Sequence, residues 1–126
     1  MKNSMDSQKM KTILLIEDNK EITDVLQKRL QVKGYQVRCV ASGLDVVEML
    51  MKEPAPSAII LDLMIPGRSG MELIDVIKVK WATSKLFIFS AHQNYEHSIP
   101  TGLTEGFFLK SEGSDRLIQA LEISLS

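Results

Sequence analysis

Short apolar runs alternate with helix-period patterns along this chain, and that alternation leaves few folds open. The run TILLI (Thr12–Ile16) is too short for a buried helix and right for a buried strand. Residues 21–33 then carry Ile22, Val25, Leu26 and Leu30 at helical spacing, and Gly34 is placed to close that helix. A strand is predicted over 35–40. A second helix is predicted over 42–52, with Leu44, Val47, Leu50 and Met51 inward, ended by Pro54 and Pro56. AIILD (58–62) reads as a third strand, and 71–80 as a third helix burying Leu73, Ile74 and Ile77. Strands follow at 86–90 and Gly106–Leu109, and Ser114 is placed to cap a last helix carrying Leu117, Ile118, Leu121 and Leu125.

Five near-continuous apolar strands alternating with helices imply a parallel sheet covered on both faces. Right-handed crossovers make it a doubly wound, flavodoxin-like five-stranded (βα)5 three-layer sandwich. The 126 residues suit one domain. Residues 1–10 are polar and read as a flexible extension before a domain at 11–126. Fifteen Lys plus Arg against sixteen Asp plus Glu leave a net charge of −1, which gives no support for direct nucleic-acid binding. No apolar run approaches the ~18 residues of a membrane span. The single cysteine, Cys39, reads as a small core residue in a reducing, cytoplasmic setting.

The segment between the fourth and fifth strands lacks a helix pattern. Pro100 has no N–H to donate and pushes Ile99 away from helical angles, so no continuous helix is predicted over 92–105. One or two turns over 93–98 remain open.

In a doubly wound sheet, ligands sit beyond the carboxyl ends of the strands. There the chain places Glu17 and Asp18, Asp62, Ser90 and Lys110. Each alone is ordinary: a strand-end Asp is commonly a turn former, a strand-end Lys a solvated charge, a Ser a cap. Together they form a coherent set. Close carboxylates repel unless a cation sits among them, and Mg²⁺ takes oxygen ligands and pairs with phosphate. An ammonium and a hydroxyl can then meet other phosphoryl oxygens while one carboxylate acts as nucleophile.

IEDN (16–19), ILDLMIPGRSGMELI (60–74), FSA (89–91) and GFFLK (106–110) resemble the receiver domains of two-component response regulators. The resemblance runs from about Lys11 to the end of the chain. It implies a phosphorelay switch in which Asp62 is the phosphoacceptor. Glu17, Asp18 and Asp62 would bind Mg²⁺ or Mn²⁺ with the backbone carbonyl of Met64. Ser90 and Lys110 would contact the phosphoryl group, and Ser90 and Phe107 would act as switch residues. The implied donor is a histidine kinase or a histidine phosphotransfer domain, and the implied docking face combines the fourth helical position, strand five and the last helix. Such a domain catalyses only its own phosphorylation and dephosphorylation. The family usually has proline after the lysine. Here Ser111 follows, and a cis bond at a non-proline residue costs about 2.5–4 kcal/mol, so a trans or strained bond is expected.

Three rival readings remain. An aspartyl-phosphate phosphatase of the haloacid dehalogenase type needs a second Asp two residues after the nucleophile, where this chain has Met64. A flavodoxin-like flavin binder needs a Ser/Thr/Gly-rich loop after strand one, where this chain has EDNKE. A phosphorylation-independent pseudo-receiver would generally lack part of the site, and all five groups are present.

Overall fold

The computed structural model describes residues 10–100 and 102–126. The order is β1 (Thr12–Ile16), α1 (Lys20–Val32), β2 (Gln36–Val40), α2 (Gly43–Lys52), β3 (Ala58–Leu61), α3 (Gly70–Lys80) and β4 (Lys85–Ser90). A 3₁₀ segment (Gln93–Ser98), β5 (Gly106–Leu109), a 3₁₀ turn (Lys110–Glu112) and α4 (Asp115–Leu125) complete it. All strand pairs are parallel, in the order β2-β1-β3-β4-β5. The order reverses between β1 and β3, and the crevice there opens beyond Ile16 and Leu61, the last residues of those strands. Residues 1–9 of the expected extension lie outside the described residues.

Alternate strand residues feed two cores. Leu14, Ile16, Ile59, Leu61, Leu86 and Ile88 pack with α2 and α3. Ile13, Leu15, Ala58, Ile60, Phe87 and Phe89 pack with α1 and α4. Each such aliphatic side chain contributes roughly 1.5–3 kcal/mol by leaving water. The central strands β1, β3 and β4 are buried on both faces, which explains their unbroken apolar runs.

Helix ends follow local chemistry. The Asn19 side chain accepts from Ile22 N and starts α1, and Ser42 does the same for α2 through Asp45 N. Ser69 and Glu72 form a reciprocal capping box on α3. Gly34, at φ +97, follows α1 as expected.

Several inward assignments differ from expectation. Leu44 and Met51 are 64% and 75% exposed. The buried stripe of α2 is Gly43, Val46 and Leu50, so the helix is rotated from the phase its apolar residues suggest. Val25 is also exposed, while Leu26 and Leu30 carry the burial of α1. Cys39 is only partly buried because β2 is an edge strand. Ser114 precedes α4 but its hydroxyl makes no capping bond; Arg29 of α1 donates to it instead.

Between β4 and β5 the backbone forms the 3₁₀ segment rather than an α-helix, and Ile99 before Pro100 is extended at φ −97, ψ 122. Tyr95, Ile99 and Leu103 pack against the α2/α3 core and hold this stretch down. No described peptide bond is cis, so the chain passes from Lys110 to Ser111 in trans.

Candidate functional site

Three loops at the carboxyl edge of the sheet bring the expected residues together. Glu17 directly follows β1, and its backbone N–H donates to Val40 O at 3.0 Å. Asp62 directly follows β3, with its N–H on Ile16 O at 3.0 Å. Lys110 directly follows β5. These bonds continue the parallel ladder one residue past the strands, so both carboxylates start from fixed backbone.

Glu17 and Asp62 are 3% and 4% exposed. The Lys110 ammonium lies between them, 2.7 Å from Glu17 Oε1 and 2.9 Å from Asp62 Oδ2. Its contact with Asp62 is a well-directed hydrogen bond. The approach to Glu17 Oε1 is a close ion contact without hydrogen-bond direction, and that buried oxygen has no hydrogen-bond partner. Glu17 Oε2 accepts from Asn19 N at 3.0 Å, and Asp62 Oδ1 accepts from Met64 N at 3.1 Å.

Burial is the largest influence on Glu17 and lifts its pKa above the ordinary carboxyl value. The Asp62 charge pushes the same way, and the Lys110 and Asn19 contacts only partly offset them. Burial alone would lower the Lys110 pKa, but its contacts with Glu17 and Asp62 outweigh it, so the ammonium is held above its ordinary value.

Asp18 is exposed and completes the acidic set. Ligand oxygens of Glu17, Asp18 and Asp62 all lie within 4.8 Å of one another. Three carboxylates against one ammonium leave surplus negative charge, and Glu17 Oε1 is left without a hydrogen bond. A hard divalent cation with oxygen ligands fits this donor set.

The loop carrying Asp62 is tightly built. Gly70 N donates to Leu63 O at 3.1 Å, and Gly43 N donates to Pro66 O at 2.8 Å. A Cβ on Gly70 would lie 2.5 Å from Leu63 Cα, so only glycine permits α3 to start this close.

The remaining expected residues sit around this centre. Ser90 is fully buried, and its hydroxyl accepts from His92 N at 3.0 Å and reaches His92 O at 3.4 Å. Phe107 is partly buried on β5 against the α2/α3 core. The Met64 side chain is exposed, with Tyr95 Oη 3.6 Å from its sulfur. Sequence reasoning assigned no role to Asn19, and to Tyr95 only that of an anchor, with Ile99 and Leu103, for the segment after β4. The IEDN motif contains Asn19, and a small polar residue before a helical pattern is a cap signal. Nothing local marks the contact of the Tyr95 hydroxyl with Met64, 31 residues away.

The response regulator receiver domain model matches residues 13–122. The chain belongs to that family. Among solved receivers, the response regulator TrrA from Thermotoga maritima, in complex with Mg²⁺-BeF, is 26% identical with a TM-score of 0.82. That match covers 92% of this chain and all of TrrA. TrrA in complex with the histidine kinase ThkA matches with 26% identity and a TM-score of 0.80, over 93% of this chain and all of that one. The signal receiver domain of a LuxO repressor protein from Vibrio parahaemolyticus shares the fold, at 24% identity and TM-score 0.81, covering 92% of this chain and 90% of that one. The flavodoxin-like fold expected from the sequence is therefore that of a receiver domain of two-component systems. Among the described residues, no helix is long and apolar enough to cross a membrane.

Proposed function

We propose that residues 11–126 form a phospho-accepting switch in which Asp62 takes a phosphoryl group from a histidine kinase or a histidine phosphotransfer domain. The observation that carries this reading is the Lys110 ammonium set 2.9 Å from Asp62 and 2.7 Å from Glu17 in a buried acidic site. The complex of the similar TrrA with ThkA supports a kinase donor, and the Mg²⁺-BeF complex of TrrA supports magnesium.

Glu17, Asp18 and Asp62, with the backbone carbonyl of Met64, would hold Mg²⁺ or Mn²⁺. Bound there, the ion neutralises charge on the transferring group. An Asp62 carboxylate oxygen forms the new bond to phosphorus as the P–N bond of the donor phosphohistidine breaks. The electron pair leaves on the imidazole, which takes up a proton. Lys110 offers its ammonium to a phosphoryl oxygen, and Ser90 offers its hydroxyl once it releases His92 O. Water attack on phosphorus later returns the Asp62 carboxylate and inorganic phosphate. No metabolite is turned over. Phe107, which packs against the same core as Tyr95, Ile99 and Leu103, would pass the change to the face of the Gln93–Ser98 segment, β5 and α4.

Incubation with acetyl phosphate, followed by intact mass, tests this. One phosphoryl group is expected with Mg²⁺ and none in excess chelator. Equal labelling in both would refute the metal-dependent site.

A further inference from the structure

Glu17 and Asp62 hold the Lys110 ammonium, but the turn that starts at Lys110 has little packing of its own. None of Lys110, Ser111 and Glu112 is buried, and Gly113 follows at φ +78. Residue 111 is serine, so no ring restrains the backbone after the lysine. A hollow of about 360 Å³ separates the turn from α1, lined among others by Asn19, Val25, Phe89, Lys110 and Ser114. The turn is therefore not positioned by close packing on its α1 side.

Arg29 ties α1 to the residues just after the turn. Its Nη1 donates to Ser114 Oγ at 2.5 Å and its Nη2 to Asp115 Oδ1 at 2.7 Å, 85 and 86 residues along the chain. The rigid planar fork fixes two neighbouring residues at once, which a flexible ammonium does not do. Ser114 gives up helix capping to accept this bond. The Asp115 side chain is 83% exposed, so the ion pair adds little to folding stability. Its consequence is placement. Helix α1 touches this region twice: Asn19, its N-cap, holds Glu17, and Arg29, in its last turn and about 15 Å further along the axis, holds the start of the helix that follows the Lys110 turn.

We propose that Arg29 is a positioning residue for Lys110, its guanidinium fork on Ser114 and Asp115 setting where the Lys110 turn stands over Asp62. The inference rests on the proposed role of Asp62 as phosphoacceptor and adds a residue to that site.

The test compares wild type, Arg29→Ala, Arg29→Lys and Arg38→Ala, the last breaking the exposed Arg38–Glu53 pair elsewhere on the surface. The first readout needs no phosphoryl transfer: the Lys110 Nζ resonance of the metal-free chain. It should move in Arg29→Ala, move less in Arg29→Lys, and stay in place in Arg38→Ala. The second is the initial rate with acetyl phosphate at saturating Mg²⁺. Arg29→Ala should lose about tenfold, because small misplacement of a charged group costs rate steeply. Mg²⁺ affinity should stay within about twofold, since the carboxylates are untouched. An unmoved Lys110 resonance in Arg29→Ala overturns the proposal, as does a fall in Mg²⁺ affinity equal to the fall in rate. If wild type takes no phosphoryl group, the proposed function fails, and the Lys110 resonance alone decides whether Arg29 sets the turn.

Discussion

Lys110 and Asp62 stand 48 residues apart in the chain and meet at 2.9 Å, the carboxylate buried and the lysine side chain partly so. The pair joins β5 to β3 across the carboxyl edge of the sheet, with Glu17 on the other side of the ammonium. In metal-free protein this one cation serves two buried carboxylates. With a divalent ion held by Glu17, Asp18 and Asp62 as proposed, Lys110 would be free to meet a phosphoryl oxygen.

Replacing Lys110 by alanine should therefore separate stability from metal binding. Removing one partner of a buried ion pair costs about 3 kcal/mol or more, so the chain in chelator should melt markedly earlier. Mg²⁺ affinity, followed by NMR titration, should hold or tighten, because a competing cation is gone. Phosphorylation by acetyl phosphate should slow strongly. Loss of Mg²⁺ binding in Lys110→Ala would show that the lysine is needed to build the metal site.

Glu17 sets a pH dependence with a defined sign. Burial raises its folded pKa, so its contribution to stability is fully present below the ordinary carboxyl range and is lost as pH rises through the folded value. At neutral pH the charged Glu17 is a cost. Metal-free Glu17→Gln should be more stable than wild type near pH 7.5, and the gain should shrink as pH falls below that range. Thermal melts in chelator at several pH values measure it. Mg²⁺ affinity should drop by about tenfold or more with the loss of a charged ligand. A variant less stable at neutral pH would contradict the sign.

Gly70 tests the support beneath Asp62. Alanine there would push a methyl into the Leu63 backbone, and such overpacking costs about 2 kcal/mol. Because Leu63 adjoins Asp62, the phosphorylation rate should fall as well. Denaturant unfolding with unchanged slope would register the first effect and acetyl phosphate kinetics the second. A fully stable, fully active Gly70→Ala chain would mean that the loop shifts freely.

Much of this was legible because the informative signals are local. The strands β1, β3 and β4 announce themselves as unbroken apolar runs, since both their faces are covered. Once the strands are placed, the residues just beyond them fall on one edge, which brings Glu17, Asp18, Asp62 and Lys110 together without knowledge of any contact. Pro100 marks the break in the fourth crossover in the same direct way. What stayed hidden depends on partners far along the chain. The apolar residues of α2 do not define one phase, because Leu44 and Met51 compete with Val46 and Leu50 until the sheet decides. Ser114 looks like a cap because its competitor for the hydroxyl, Arg29, lies 85 residues away.

No residue of the Gln93–Ser98 segment is fully buried, and within it Tyr95 supplies the packing against the core. Its amides should exchange at the low-protection end of the domain, in contrast to β1 and β3. Phosphorylation, acting through Ser90 and Phe107, should slow exchange over 93–99. Hydrogen exchange with mass detection, before and after acetyl phosphate treatment, checks both points. Unchanged protection would leave this segment without a part in the switch.

The most direct measurement compares intact mass of wild type and Asp62→Asn after treatment with acetyl phosphate and Mg²⁺. The substitution keeps the shape of the side chain while removing the nucleophilic carboxylate. The expected result is one phosphoryl group on wild type and none on Asp62→Asn. Equal labelling of both would contradict Asp62 as the acceptor.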